Sequence, residues 1–221
     1  MQTISTARSE SQILATNKVL KNTYALLSVT LFFSVLMAMV SMAIEPPRMI
    51  GIVTTLGALG LIWFALPRTA NSTNGIWVVF GITGLLGFGI GPLLNSFLEM
   101  SNGGQIVATA FSGTGLIFLG LSGYALTSKK DFSFMAGFLM VGLVIAIVAM
   151  VANIFLQMPA LSLAISSVVI LIMSGFILYD TSAIIRGEQT NYILATVGMY
   201  LSIFNIFIHL LHILGVFSGD D

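Results

Sequence analysis

Seven long apolar runs constrain this chain more than any other feature of its sequence. They occupy residues 22–44, 49–66, 75–97, 104–127, 132–156, 159–186 and 192–217. A helix needs about 20 mostly apolar residues to cross the hydrocarbon core of a bilayer, so each run predicts one spanning helix. The sequence therefore predicts an all-α integral membrane protein, folded as a bundle of seven transmembrane helices.

The composition agrees with a membrane protein and excludes several other classes. Hydrophobic residues make up 57% of the chain and charged residues only 7%, where soluble domains carry about 25% charged residues. Eight basic and eight acidic side chains cancel, so no basic surface is available for nucleic acid. Cysteine is absent, which excludes disulfides, thiolate metal sites and cysteine nucleophiles.

The loops between the runs are short, so residues 22–217 are predicted to form one membrane domain without a soluble catalytic domain. Residues 1–21 are polar and are predicted to form a flexible cytoplasmic N-terminal tail. No small-residue cleavage site follows the first run, which favours a retained anchor over a signal peptide. Residues 218–221 are predicted to form a short C-terminus.

Basic residues set the expected orientation, because Lys and Arg accumulate in cytoplasmic segments. An inside N-terminus leaves only Arg48 on the outer side. The cytoplasmic side then carries Arg8, Lys18, Lys21, Arg68, Lys129, Lys130 and Arg186. The sequence therefore predicts a cytoplasmic N-terminus and a periplasmic C-terminus.

The third and fourth runs are rich in glycine, reading "GITGLLGFGIGPLLNSF" and "FSGTGLIFLGLSGYALT". Glycines three and four residues apart share a helix face and let helices pack closely in lipid. Pro92 has no N–H to donate to the carbonyl of Phe88, so it predicts a helix kink. Such a kink either binds an ion, as in some transporters, or only bends the helix.

Five segments together resemble the Bax-inhibitor-1 family, closest to its bacterial YccA-like branch. They read "GFGIGPLLNSF", "KKDFSFMAGFLM", "ANIFLQMPALSLAIS", "FILYDTSAII" and "TNYILATVGMYLSIFNIFIHLL", and the resemblance runs from Lys18 to Gly215. It implies a seven-helix bundle in the bacterial inner membrane. It also implies two functions: modulation of the membrane-anchored AAA+ protease FtsH, and a pH-sensitive proton or calcium leak.

Asp180 is the acid that stands out, because it lies inside the apolar stretch "FILYDTSAII" of the sixth run. If the helix extends to Arg186, Asp180 lies about 9 Å inside its end. Ionisable residues at such depth usually face the bundle interior, a partner or water, and often serve function. Two interpretations stay open: a functional proton site, or a structural lock with Arg68 or Arg186.

The seventh run carries a polar stripe. Its members are Ser202, Asn205, His209 and His212, at steps of three, four and three residues. They fall within an arc of about 80° on a helix, so the stripe is predicted to face inward, with Ser202 near the level of Asp180. Two interpretations of the stripe stay open: it lines an ion path, or it forms a seam of hydrogen bonds between helices.

The resemblance adds a role for these positions. In many family members the motif matching "MYLSIFN" carries a second Asp, which pairs with the Asp of "LYD" to sense pH and calcium. Here Ser202 takes that second position and leaves Asp180 alone. Calcium binds six to eight oxygens and usually several charges, so this departure favours proton sensing over calcium conduction. The resemblance also implies that Arg68 latches onto Asp180 in a closed state.

Two enzyme readings are disfavoured. "GLSG", residues 120–123, looks like the motif of rhomboid intramembrane proteases, but Ser122 and His209 are expected about 15 Å apart along the membrane normal. His209 and His212 could offer two metal ligands, yet a catalytic zinc needs a third, and Glu99 is the only nearby acid. The sequence predicts no catalytic residue, cofactor or metal site.

The sequence and the resemblance together predict a YccA-like inner-membrane modulator that binds FtsH and limits turnover of membrane substrates. Its partners are the protease, engaged through the N-terminal tail as a handle, and the lipid bilayer. The alternative is a pH-gated proton or calcium leak channel. Asp180 would then be its gate, Arg68 its latch, and Ser202 and Asn205 would line the path.

Overall fold

A computed structural model describes residues 2–218, with side chains from Leu14 onward. Within residues 2–218 the regular structure is helical, and no strand is present. The helices are α1 (Gln2–Ile44), α2 (Ile50–Gly60), α3 (Leu66–Thr69), α4 (Asn74–Leu98), α5 (Gly103–Ser128), α6 (Ala136–Leu156), α7 (Pro159–Ile185) and α8 (Tyr192–Ser218). A π-helical turn, Leu61–Ala65, joins α2 to α3, and a 3₁₀ turn, Ser133–Met135, precedes α6.

Seven helices of the described chain are long and apolar enough to cross a membrane, which confirms the predicted number. Their spans are Leu14–Ile44, Ile50–Thr69, Asn74–Leu98, Gly103–Ser128, Ser133–Leu156, Pro159–Ile185 and Tyr192–Ser218. Three helix ends are marked by non-glycine residues with positive φ, namely Glu45, Lys129 and Gln157. A residue in this conformation stops the helical hydrogen-bond ladder, and the loops that follow are short.

The segment predicted to form a flexible N-terminal tail has helical backbone structure. Residues 2–21 belong to the continuous helix α1. Residues 1–22 contain neither Gly nor Pro, so no residue there stops the helix from extending beyond its apolar part. The mobility of this segment stays a prediction. Of the predicted C-terminus, residues 219–221 lie outside the described residues.

The second span is interrupted by the π-helical turn just before Pro67. Proline cannot donate to the carbonyl four residues before it, here that of Trp63, so an α-helix cannot continue unchanged. The wider turn accommodates this loss. By contrast, α4 runs through Pro92 without interruption, and Ser96 Oγ donates to the Pro92 carbonyl at 3.0 Å. The helix interruption therefore lies in the second span, and the kink at Pro92 stays a prediction.

The chain forms two compact units. The first unit contains the residues up to Ser96 and the segment Ile184–Tyr200; the second contains Phe97–Ala183 and the residues from Leu201 onward. Helices α7 and α8 thus contribute to both units.

In the first unit, the glycines of α4 lie where α1 and α2 approach most closely. A methyl group at Gly87 would meet the carbonyl and hydroxyl oxygens of Ser34 in α1, and one at Gly91 would meet Ser41 Oγ. A methyl group at Gly89 would meet Thr54 Oγ1 in α2. Close helix packing through glycine, predicted for the third span, is confirmed here.

The second unit has an apolar core built by α6, α7 and α8. Its buried members are Leu139, Ala146, Ile165, Val169, Ile172, Met173, Ile177 and Ile206. Gly175 of α7 makes room for the side chain of Leu139. In α5, however, a methyl group at Gly115, Gly120 or Gly123 would meet no atom within 4 Å. The close packing predicted for the fourth span is therefore not found at these three glycines.

Candidate functional site

Asp180 is a partly buried residue of α7, five residues before its end at Ile185. That position is about 7.5 Å inside the helix end, close to the depth expected from sequence. The contact between Asp180 and Ser202, direct or through water, stays a prediction.

The two residues after Asp180 fix this part of α7 in place. Thr181 is fully buried, and its Oγ1 lies 3.2 Å from Ser122 Oγ of α5. Ser182 Oγ donates to the Lys130 carbonyl at 2.9 Å and accepts the Phe132 N–H at 3.3 Å. The backbone that carries Asp180 is therefore bonded on one side to α5 and on another to the loop after α5.

The stripe of α8 divides into two parts. Ser202 is 3% exposed, and Asn205 Nδ2 donates to the Leu201 carbonyl of its own helix at 2.8 Å. The two histidines instead contact α7. The half of the stripe nearer the start of α8 is thus bonded locally at Asn205, while the half nearer its end forms an interhelical contact.

The histidine contact has a serine at its centre. Ser166 Oγ lies 3.0 Å from His209 Nδ1 and 3.2 Å from His212 Nδ1. Ser162 Oγ, one turn earlier on α7, lies 3.4 Å from His212 Nε2. Sequence reasoning missed both serines, although their spacing of four residues places them on one face of α7 as a match for the histidine pair.

The residues of the protease hypothesis and of the metal-site hypothesis are arranged differently from what each hypothesis requires. Ser122 pairs with Thr181, whereas His209 and His212 bond to serines of α7, so the Ser122–His209 dyad is not formed. Among the residues whose side chains are described, no group of three or more His, Asp or Glu could hold a metal ion. Glu99 accordingly does not join the two histidines.

Arg68 belongs to the first unit, where it is exposed and its Nη1 donates to the Phe64 carbonyl at 2.9 Å. Arg186 forms a two-pronged ion pair with Glu188, at 3.0 and 2.7 Å. Asp180 belongs to the second unit. The latch between Arg68 and Asp180 and the lock through Arg186 both stay predictions.

The end of the second span is fastened to the start of α8 by Asn191. Its Oδ1 accepts the N–H groups of Ile193 and Leu194 at 2.9 and 3.1 Å, which caps α8. Its Nδ2 donates to the Ala70 carbonyl at 2.9 Å and to Asn71 Oδ1 at 2.8 Å. The segment next to Arg68 is therefore held at a defined position within the first unit.

Seven apolar helices with short connections and buried polar contacts between helices define a multi-pass α-helical membrane protein. The sequence model of the family described as "Inhibitor of apoptosis-promoting Bax1" matches residues 16–219, nearly the whole chain. The chain belongs to this Bax inhibitor-1 family.

Similar proteins occur in several bacteria. An uncharacterized membrane protein of Vibrio cholerae is 52% identical over 96% of each chain. The protein named modulator of FtsH protease YccA in Escherichia coli K12 is 49% identical over 98% of each chain. A third relative, from Escherichia coli O6:H1, shares those values and is named inner membrane protein YccA. These relatives and the seven apolar helices indicate a multi-pass protein of the inner membrane. The name of the Escherichia coli K12 relative describes a modulator and that of the family an inhibitor, rather than a catalyst.

Proposed function

We propose that this protein modulates FtsH in the bacterial inner membrane, binding the protease and limiting turnover of its membrane substrates. The observation that carries this proposal is 49% identity, over 98% of each chain, to the Escherichia coli protein named as a modulator of FtsH. Because the match covers 98% of each chain, nearly all of that relative's sequence has a counterpart here.

The length of helix α1 supports the proposal that the protease engages the N-terminal segment of the chain as a handle. The helix starts at Gln2, and the apolar run that is predicted to span the membrane begins only at residue 22. About twenty helical residues therefore precede the apolar run, with a backbone rise of about 30 Å. An ATPase that grips exposed chain ends could reach this segment without disturbing the bundle.

A deletion tests the handle. Removing residues 2–13 leaves Thr16, which lies beside Gly187 at the end of α7, and the whole apolar span. In cells that express this variant, we expect FtsH to degrade a membrane substrate as fast as in cells lacking the protein. A matched control replaces residues 2–13 with an unrelated polar segment of equal length. Substrate half-lives unchanged from wild type in the deletion strain would contradict the handle.

A second candidate function is a pH-gated proton leak. It is favoured by Asp180, a carboxylate inside a membrane-spanning helix whose flanking residues are bonded to α5 and its loop. Ser202 in the second position of the family's acidic pair argues against calcium as the conducted ion. Asp180 would act as gate, Arg68 as latch, and Ser202 and Asn205 would line the path.

Flux in proteoliposomes tests the leak. We expect proton flux through wild-type protein to change between about pH 5 and about pH 8 and to be altered by Asp180→Asn. Thr181→Ser, which keeps the neighbouring hydroxyl, serves as control. Flux equal to that of empty liposomes at every pH would exclude the leak and leave Asp180 with a structural role.

A further inference from the structure

The contact between α7 and α8 places one serine hydroxyl between two imidazole rings. Ser166 Oγ is within hydrogen-bond distance of Nδ1 of both His209 and His212, and Ser166 is 3% exposed. A hydroxyl carries one hydrogen and can donate it to only one of the two nitrogens. The other nitrogen must then carry its own hydrogen and donate to Ser166 Oγ. When both rings are neutral, they therefore hold opposite tautomers.

Ser162 extends this chain of hydrogen bonds by one member. Its Oγ lies 3.4 Å from His212 Nε2, the second nitrogen of the ring whose Nδ1 faces Ser166. In one arrangement His209 Nδ1–H donates to Ser166, Ser166 donates to His212 Nδ1, and His212 Nε2–H donates to Ser162. In the reverse arrangement, each of these three bonds has its donor and acceptor exchanged. Both arrangements satisfy all three bonds.

We propose that His209, Ser166, His212 and Ser162 form a proton relay. A proton arrives at Nε2 of His209, and the Nδ1 hydrogen of that ring passes to Ser166 Oγ. The former Ser166 hydrogen passes to His212 Nδ1, the His212 Nε2 hydrogen passes to Ser162 Oγ, and the former Ser162 hydrogen leaves. One proton enters and one leaves, both rings end neutral, and the chain of bonds is reversed.

The position of the relay suits transfer across part of the membrane. Ser162 lies three residues after the start of α7 at Pro159, and His209 lies nine residues before the end of α8 at Ser218. These are depths of about 4.5 Å and about 13.5 Å from the helix ends. The relay thus leads from near that end of the helices to the level where Asn205 and Ser202 continue the polar stripe.

The relay depends neither on modulation of FtsH nor on Asp180 as a gate. A seam that only holds α7 to α8 would need the same hydrogen bonds but would carry no protons. Proton flux distinguishes a relay from a seam, because substitutions in a seam would change the stability of the protein but not its proton flux.

Flux should be measured in proteoliposomes under a pH gradient, comparing Ser166→Ala with Ser167→Ala. Ser167 is the neighbouring exposed serine, and its hydroxyl donates to the Leu163 carbonyl of its own helix. We expect Ser166→Ala to lower proton flux at least about tenfold and Ser167→Ala to leave it unchanged. Ser166→Thr keeps a hydroxyl and should restore flux.

Two further measurements test the proposal even if the Ser166→Ala variant folds poorly. Ser162→Ala alters a half-buried position at the end of the relay and should also lower flux. Nitrogen-15 magnetic resonance of labelled histidines in the wild-type protein should show one ring protonated at Nδ1 and the other at Nε2. Three results would each overturn the relay. They are two histidine rings held in the same tautomer, no proton flux through the wild-type protein, and proton flux that neither Ser166→Ala nor Ser162→Ala changes. If Asp180→Asn abolishes flux and both serine variants leave it intact, the leak stands without the relay.

Discussion

The hydroxyl of Tyr200 lies 2.6 Å from Ser34 Oγ and donates to the Thr83 carbonyl at 3.3 Å, which joins α8, α1 and α4 inside the first unit. The Tyr200 hydroxyl has a single hydrogen, so whenever that hydrogen is donated to Thr83, Ser34 is the donor in the Ser34–Tyr200 pair. Tyr200 is 1% exposed, so water cannot readily replace these bonds.

We predict that Tyr200→Phe lowers the free energy of unfolding by about 1 kcal/mol, a typical value for interhelical hydrogen bonds in membrane proteins. Thermal unfolding in detergent micelles measures it. Ser34→Ala should have a similar effect, and the double variant should lose less than the sum of the two. Strict additivity would show that the two hydroxyls do not stabilise each other.

Glycine substitutions provide a second prediction. Gly87→Ala forces α4 away from the backbone of Ser34, and we expect a loss of about 2 kcal/mol in the free energy of unfolding. Gly120→Ala in α5 is the matched control, because its methyl group meets no atom within 4 Å. That variant should be neutral or more stable by up to about 1 kcal/mol, since alanine favours a helix over glycine. Equal losses in both variants would contradict the close approach of α1 and α4.

Substitutions of Asn191 distinguish its role as a helix cap from its role in hydrogen bonds to the end of the second span. Asn191→Asp keeps the oxygen that accepts from Ile193 and Leu194 but loses the two donations to Ala70 and Asn71. Asn191→Ala loses both functions and should cost about 1 kcal/mol more than the Asp variant. Hydrogen exchange at the amides of Ile193 and Leu194 checks this, because only the Ala variant should expose them. Equal exchange in both variants would contradict capping by the side-chain oxygen.

Ser182 offers a fourth prediction, on the loop after α5. Ser182→Ala removes the acceptor of the Phe132 N–H and the donor to the Lys130 carbonyl. We expect the Phe132 amide to exchange at least about tenfold faster, which corresponds to the loss of one hydrogen bond. Ser128→Ala, a variant of a half-buried serine at the end of α5, is the control. Unchanged exchange at Phe132 in the Ser182 variant would show that other contacts hold the loop.

Length and hydropathy alone were enough to predict the seven spans, because a long apolar helix satisfies its own backbone groups in lipid. The start of α1 could not be predicted in the same way, since a polar helix outside the membrane has no length requirement. The partner serines of the histidines were missed for a different reason. Serine is common in membrane helices, and only the tertiary structure shows that Ser162 and Ser166 face His209 and His212 rather than their own helix.

The π-helical turn Leu61–Ala65 changes how positions in the second span should be counted. Such a turn holds one residue more than an α-helical turn, so every later residue takes the angular position that an uninterrupted helix would give to the residue before it. Arg68 therefore points about 100° away from the direction that simple periodicity assigns to it. A relative with one residue fewer in this turn would present the matching arginine on the same side, so a one-residue gap at this point in a sequence alignment keeps the later residues at the same angular positions.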